Sequence, residues 1–345
     1  MNLEQVAIIG VEPISVSIAL KLKEISAGKG KGAAIHITGY DADTKAADLA
    51  RAYGAFDKVE RQPGPACHNA DLVIISVPLS AMRDTFAAIA AHLQPGSLVT
   101  DTARLKAPVM RWAGELLPDN VFFVGGHPVI NPAVIGAEPL DSGRGGAQLE
   151  KADAALLKDA LYCLTPAENT PAQVIDFFSA LALALGAHPY FIDTVEHDGL
   201  QVGSEELPDL LAVALLRATV ETPGWQEMRK FASYSFATAT ASAASPEREA
   251  RERHTAILLN REHIVKRLNI LVHELILLRD MLAQGETGAL EKMFAAASEG
   301  RAHWIADRVQ GMWGREGYVG MEQVPSAGSQ LRQLFFGEAL SRRRR

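Results

Sequence analysis

Cysteine, aromatic residues and long apolar runs are all scarce in this chain of 345 residues, and each scarcity removes a class of protein. Cys67 and Cys163 are the only cysteines. They stand far apart, without the spacing of a zinc site or a disulfide framework, which fits a reducing compartment. Aromatic residues make up 6 % of the chain, and the positive residues are scattered rather than gathered into a stripe. With a formal charge of −7, nucleic acid is not an expected partner. Nothing approaches the roughly 20 apolar residues of a membrane span. The opening Met-Asn-Leu-Glu-Gln leads directly into a strand, with no basic leader, so neither a signal peptide nor a membrane segment is expected and the protein is placed in the cytoplasm. The one basic cluster, Arg342 to Arg345, reads as the solvated end of a mobile tail over residues 331–345.

What is present is apolar and patterned. Hydrophobic residues form 48 % of the chain, enough for about two domains. Gln5 to Gly10 reads as a strand ending in glycine, followed by a periodic helix from Ile14 to Ile25. A glycine- and lysine-rich turn at 28–32 leads to a second strand, Ile35 to Tyr40, then Asp41 and a helix capped by Asp43 or Thr44. The same grammar repeats with strands at 71–78, 97–101 and 121–125 and helices near 80–92 and 106–117. Strands and helices alternating in this way, with valine and isoleucine unrelieved by polar residues, predict a Rossmann-type, doubly wound, mostly parallel sheet. Two further strands at 162–166 and 188–193 flank a helix at 171–186, closing a dinucleotide-binding domain over residues 1–193. Residues 194–330 read as a helical domain. In it, 232–246 is a small-residue stretch ending at Pro246, and Leu258 to Leu282 is an apolar helix with Ile264, Leu268, Leu271, Leu275 and Leu278 in register. That stripe fits either an intrachain core or a dimer face.

The turn after the first strand is where such a sheet holds a dinucleotide, and here it reads Gly10-Val11-Glu12-Pro13-Ile14-Ser15. The first glycine of the fingerprint is in place and Ser15 is small enough to be the third. Glu12, however, stands where the backbone should approach the pyrophosphate. A carboxylate about 4 Å from a phosphate charge costs roughly 1 kcal/mol in water and about 4 kcal/mol at an effective dielectric near 20. Asp41 occupies the end of the second strand, where a carboxylate accepts a ribose diol and favours NAD over NADP; it equally fits a turn or cap residue.

Several phrases together resemble the prephenate and arogenate dehydrogenases of tyrosine biosynthesis, from about residue 5 to about residue 280. They are Ala70 to Pro78, Val99-Thr-Asp101 with Lys106, Gly125-Gly-His127-Pro128, Leu164-Thr-Pro166, Leu185-Gly-Ala187, Asp193 with His197-Asp198, and Leu207-Pro208. The resemblance implies that His127 accepts a hydrogen bond from the substrate's ring hydroxyl while a hydride passes to NAD and carbon dioxide leaves. Imidazole suits that task because its ordinary pKa lies near neutrality. The resemblance also implies cofactor contacts at Gly10, Val11, Glu12, Ile14, Ser15, Asp41, Ser76, Val77, Pro78 and Asp101, a small-molecule substrate, and homodimerisation through the helical domain.

The departures from the family pattern fall at functional positions. Arg104 replaces a serine in Asp101-Thr-Ala-Arg104-Leu-Lys106, and Arg104 or Lys106 becomes a candidate anion contact. Asn131 replaces a glycine after Gly126-His127-Pro-Val-Ile, in the turn near the substrate, and is a further candidate substrate contact. Glu206 and Asp209 replace the two histidines of Ser-His-Leu-Pro-His, in Glu205-Glu206-Leu-Pro-Asp209, and are candidate substrate contacts. The arginine that the family carries near 235–245 is missing. These changes leave three functions open: a prephenate- or arogenate-type dehydrogenase, a non-catalytic or ligand-sensing relative, and a dehydrogenase for a different, amine-bearing substrate drawn to Glu205, Glu206 and Asp209. The same carboxylates also suit the acidic first turn of a helix.

Overall fold

The computed structural model describes residues 3–27, 34–131, 152–243 and 247–309. The expected turn at 28–32, Pro246, the tail over 331–345 and the Arg342–Arg345 cluster lie outside the described residues. The chain divides into two units, the first formed by residues 3–131, 152–194 and 307–309 and the second by residues 195–306.

The first unit is built on one sheet of eight strands: β1 (Gln5–Ile9), β2 (His36–Tyr40), β3 (Lys58–Val59), β4 (Leu72–Ile75), β5 (Leu98–Asp101), β6 (Phe122–Val129), β7 (Leu161–Pro166) and β8 (His188–Phe191). Their order across the sheet is β3-β2-β1-β4-β5-β6-β7-β8, and every ladder is parallel except β6 with β7. This is the predicted doubly wound sheet with helices, followed by a helical C-terminal region. The physical cause is legible in burial. All four residues of β4 and of β5 are buried, as are Val6 to Ile9 of β1, so both faces of these strands are covered and alternation has no place. The helix Pro13–Ala27 contributes Val16, Ile18 and Leu22 to that core, and the helix Ala172–Ala184 contributes Val174, Phe177, Phe178 and Leu181.

Two boundaries differ from expectation. The strand read as 121–125 continues to Val129, so His127 lies inside β6 and does not follow it. Glycine and proline in Gly-Gly-His-Pro signal a turn, but pairing with β7, from Val124↔Pro166 to Val129↔Leu161, holds the segment extended. The apolar helix expected over 258–282 is divided at Asn260, between helices Glu247–Leu259 and Arg261–Gln284. Asn260 is 5 % exposed, and its amide donates to the carbonyl of Asp198 at 3.0 Å, a tertiary bond that no periodicity announces.

The second unit is mostly helical. Helix Thr194–Gln201 runs through a π-helical turn, Val202–Glu206, into helix Leu207–Val220. The stretch read as a small-residue helix or loop forms the short helix Tyr234–Thr240 and a 3-10 turn at Ala241–Ala243. Among the described residues of this unit, the only buried apolar side chains are Val202, Ala212 and Ile264. Val265, Ile270, Val272, Leu275 and Leu282 on helix Arg261–Gln284 are each about half exposed or more. No helix of the described residues is long and apolar enough to cross a membrane.

Candidate active site

The order of the sheet places its switch point between β1 and β4, where the chain leaves β1 for one side and returns by β4 on the other. Ligands of open α/β sheets bind outside the carboxyl ends of the strands at such a point. Gly10 sits there at φ +98°, and a Cβ on it would lie 2.0 Å from the carbonyl oxygen of Ser76, so only glycine fits. The hydroxyl of Ser15, fully buried, accepts the Glu12 N–H at 3.0 Å and donates to the Gly10 carbonyl at 2.9 Å. The third fingerprint position therefore ties the loop as well as being small. Ile14 packs against the core of the sheet.

Asp41 braces the same loop from the end of β2. One carboxylate oxygen accepts the Val11 N–H at 2.7 Å and the other accepts the Asp43 N–H at 2.7 Å. Asp41 is thus a turn residue, while the cap of helix Thr44–Ala52 is Asp43, which accepts the Lys45 N–H. A carboxylate with two N–H donors still has lone pairs for a diol.

Across the switch point Thr102 donates to Ser76 Oγ at 2.8 Å, and Ser76 Oγ lies 3.4 Å from a Glu12 carboxylate oxygen. Ser76 is 1 % exposed and Thr102 8 %. Glu12 therefore leans over the end of β4, at the place the fingerprint reserves for close approach of backbone to phosphate. Val77 and Pro78 continue from β4, Pro78 preceding helix Leu79–Ile89. Thr102 carried no signal in the sequence: nothing in Val-Thr-Asp-Thr distinguishes a residue that reaches sideways to β4.

Three expectations change on burial. Lys106 is fully buried, its ammonium 2.5 Å from Asp101 and 2.6 Å from the Gly126 carbonyl, so it is a structural counter-ion and not an anion contact. Asp101, also fully buried, accepts the N–H groups of Ala103 and Gly126 at 2.9 and 3.0 Å and is closed to a cofactor. Asn131 is 2 % exposed; its amide donates to the Arg308 carbonyl at 3.0 Å, while the Arg308 guanidinium donates to the Ile130 carbonyl at 2.9 Å. That reciprocal pair holds Arg308 to the two residues that follow β6. Arg104, by contrast, is exposed on the loop after β5.

His127 is 7 % exposed and faces Cys163 across the β6–β7 ladder, a ring nitrogen within 4.8 Å of the sulfur. Burial pushes the Cys163 thiol up to about 12, partly opposed by the Lys106 charge, so the histidine's neighbour is a neutral thiol. Burial, together with the Asp101 charge, also holds the Tyr162 hydroxyl well above its usual range. The thiol facing His127 on β7 is therefore not a competing acid near neutral pH.

In the second unit Glu206 is 8 % exposed on the π-helical turn. Asp209, on the first turn of the following helix, lies 3.3 Å from the guanidinium of Arg253, which also donates to the Ser242 carbonyl at 2.6 Å. The acidic group read as an attractor for an ammonium thus has its own cation at Asp209.

A family model described as the nucleotide-binding domain of prephenate dehydrogenase matches residues 25–191. The prephenate dehydrogenase of Bacillus subtilis (strain 168) is 25 % identical over 300 residues, covering 86 % of this chain and 75 % of that protein. The cyclohexadienyl dehydrogenase of Zymomonas mobilis is 27 % identical over 300 residues, covering 86 % and 95 %. Over residues 25–191 this chain is similar to the nucleotide-binding domain of prephenate dehydrogenases. The likeness in fold extends to the helical region. The structure of prephenate dehydrogenase from A. aeolicus in complex with hydroxyphenyl propionate and NAD+ matches with a TM-score of 0.73 at 20 % identity, over 88 % of this chain and 99 % of that one. Synechocystis arogenate dehydrogenase matches with 0.69 at 19 % identity, over 87 % and 99 %.

Proposed function

We propose that this protein is an NAD-linked dehydrogenase of the prephenate or arogenate type, carrying out oxidative decarboxylation of a cyclohexadienol with His127 as the proton acceptor. The observation that carries the proposal is the pairing of a glycine loop that tolerates no side chain at Gly10 with a buried histidine on a strand of the same sheet. The loop suits a dinucleotide: Gly10 leaves room for backbone approach, Ser15 and Asp41 hold the loop in shape, and Asp41 disfavours a 2′-phosphate, making NAD the cofactor over NADP. Bound NAD would supply the hydride acceptor. His127, as the neutral imidazole, accepts the hydrogen bond of the ring hydroxyl and holds its proton while that oxygen gains carbonyl character. Loss of the ring carboxylate as carbon dioxide then returns an electron pair to the ring, and the proton goes back to oxygen as the phenol forms. Arg104, exposed on the loop after β5, is the candidate partner for a substrate carboxylate.

Glu12 is the feature that sets this chain apart. Its carboxylate lies at 3.4 Å from Ser76 Oγ, and repulsion of the pyrophosphate there weakens cofactor affinity by about fivefold to nearly a thousandfold. This same residue supports the second reading, a relative that binds ligand without hydride transfer. The test is NADH formation from prephenate or arogenate with NAD, beside a His127→Asn variant. Turnover abolished by the substitution supports the dehydrogenase, and no turnover with either substrate, together with no NAD binding at millimolar concentration, favours the second reading.

The assembly we infer is a homodimer through the helical unit. Three buried apolar residues are too few to stabilise residues 195–306, while the half-exposed aliphatic side chains of helix Arg261–Gln284 need cover. Two unbridged, buried thiols support a reducing, cytoplasmic setting.

A further inference from the structure

The main-chain ladder between β5 and β6 covers Leu98↔Phe122, Val99↔Phe123 and Thr100↔Val124. β5 then ends at Asp101, yet β6 continues to Val129. Gly126 therefore has an N–H and a carbonyl turned toward a side of the sheet where the neighbouring strand has stopped. Two side chains stand in for it. Asp101 Oδ1 accepts the Gly126 N–H at 3.0 Å, and Lys106 Nζ donates to the Gly126 carbonyl at 2.6 Å. The two side chains close on each other at 2.5 Å, and Asp101 Oδ2 also accepts the Ala103 N–H at 2.9 Å. Residue 126 must be glycine for this to fit, since a Cβ there would lie 2.5 Å from the Asp101 carbonyl oxygen.

The carbonyl that Lys106 holds is the acyl half of the peptide bond to His127. We propose that Asp101 and Lys106 are positioning residues for His127: they extend the sheet by side chains where β5 ends, and so fix the Gly126–His127 peptide and the imidazole attached to it. A buried ion pair is costly to desolvate, and its replacement by well-packed apolar side chains is often neutral or stabilising. Stability alone gives little reason to keep such a pair, whereas a fixed peptide beside a proton acceptor does.

The kinetic part of the test rests on the dehydrogenase reading above, and the structural part does not. The paired variant Asp101→Leu with Lys106→Met removes both charges together and leaves the polar groups of Gly126 unmet. It is expected to lower kcat roughly tenfold to a hundredfold with KM within about twofold, because a misplacement near 1 Å costs about that much. Lys106→Arg in the otherwise unaltered protein, which keeps the charge and the donors, is expected to lose far less. In 15N-histidine NMR the His127 signal of the paired variant broadens or splits. In the unaltered protein the Gly126 amide is among the slowest to exchange with deuterium, a measurement that needs no variant to fold. A folded paired variant with unaltered kcat and an unaltered His127 signal overturns the proposal, as does a Gly126 amide that exchanges as fast as exposed loops. Absence of turnover in the unaltered protein refutes the dehydrogenase reading alone, and the NMR and exchange results then decide the clamp by themselves.

Discussion

Asp41 accepts the main-chain N–H of Val11 at 2.7 Å, so a carboxylate at the end of β2 holds the loop that follows β1. The bond couples two properties that are usually argued separately, the shape of the glycine loop and the charge presented to a ribose. Removing it with Asp41→Ala is expected to weaken NAD binding by roughly tenfold to a hundredfold, the worth of a charge-assisted bond of about 1.5–3 kcal/mol. Preference for NAD over NADP should narrow at the same time. Calorimetric titration with both cofactors checks this, and an unchanged ratio would remove Asp41 from the cofactor site.

Glu12→Gly restores the fingerprint and is expected to tighten NAD binding by about fivefold to nearly a thousandfold. The gain should be larger at low salt, because solvent-exposed charges are screened. Equal affinities for the two proteins would mean that the Glu12 carboxylate swings clear of the phosphates.

Gly10→Ala puts a Cβ 2.0 Å from the Ser76 carbonyl oxygen and an L side chain at φ +98°. Strain of about 1–3 kcal/mol from the backbone angle adds to that clash. Urea unfolding should show a clear loss of stability, and a variant as stable as the parent would contradict the close approach of the two loops.

Asp57 reports on acid stability. Partial burial raises its carboxyl pKa, but the Lys23 ammonium, the Ile37 N–H and the nearby His36 outweigh that and hold it below its ordinary value of 3.8. A lowered folded pKa contributes stability above the unfolded pKa, and the contribution disappears as pH falls through the folded one. Asp57→Asn should therefore lower Tm at neutral pH by roughly 2–4 °C, for a half-exposed pair and hydrogen bond worth about 1 kcal/mol. The difference should close below the ordinary carboxylate pKa. A deficit that persists in strong acid would assign the effect to packing.

Cys67 and Cys163 should resist alkylation in the folded protein, since burial pushes each thiol up to about 12. Reaction of both with a thiol reagent is expected only on unfolding, read by mass spectrometry; a fast native reaction at Cys163 would show that solvent reaches the His127 side of the β6–β7 ladder.

How far the sequence could be read followed from the range of each interaction. β1, β4 and β5 were legible because strands covered on both faces must be apolar at every position, and Gly10 was legible because a tight turn admits few residues. His127 was visible as a chemical type within a phrase, but its place inside a strand was not, because glycine and proline mark a turn unless a neighbouring strand holds them extended. Lys106 and Asn131 read as substrate contacts from their places in phrases that resemble the family's. Charge and amide groups carry no record of burial, and their partners, Gly126 and Arg308, lie 20 and 177 residues away.

The sequence by itself determined the doubly wound sheet, the glycine loop at its switch point, the resemblance to prephenate dehydrogenases and the candidate proton acceptor, all of which depend on local pattern or on ordered phrases. Only the tertiary structure decided that Asp43 and not Asp41 caps the helix, that Asp209 is paired with Arg253, and that Asp101 and Lys106 continue the sheet beside His127. Those outcomes depend on which polar groups meet in space, and the free energy of a buried charge is set by partners that sequence distance does not reveal.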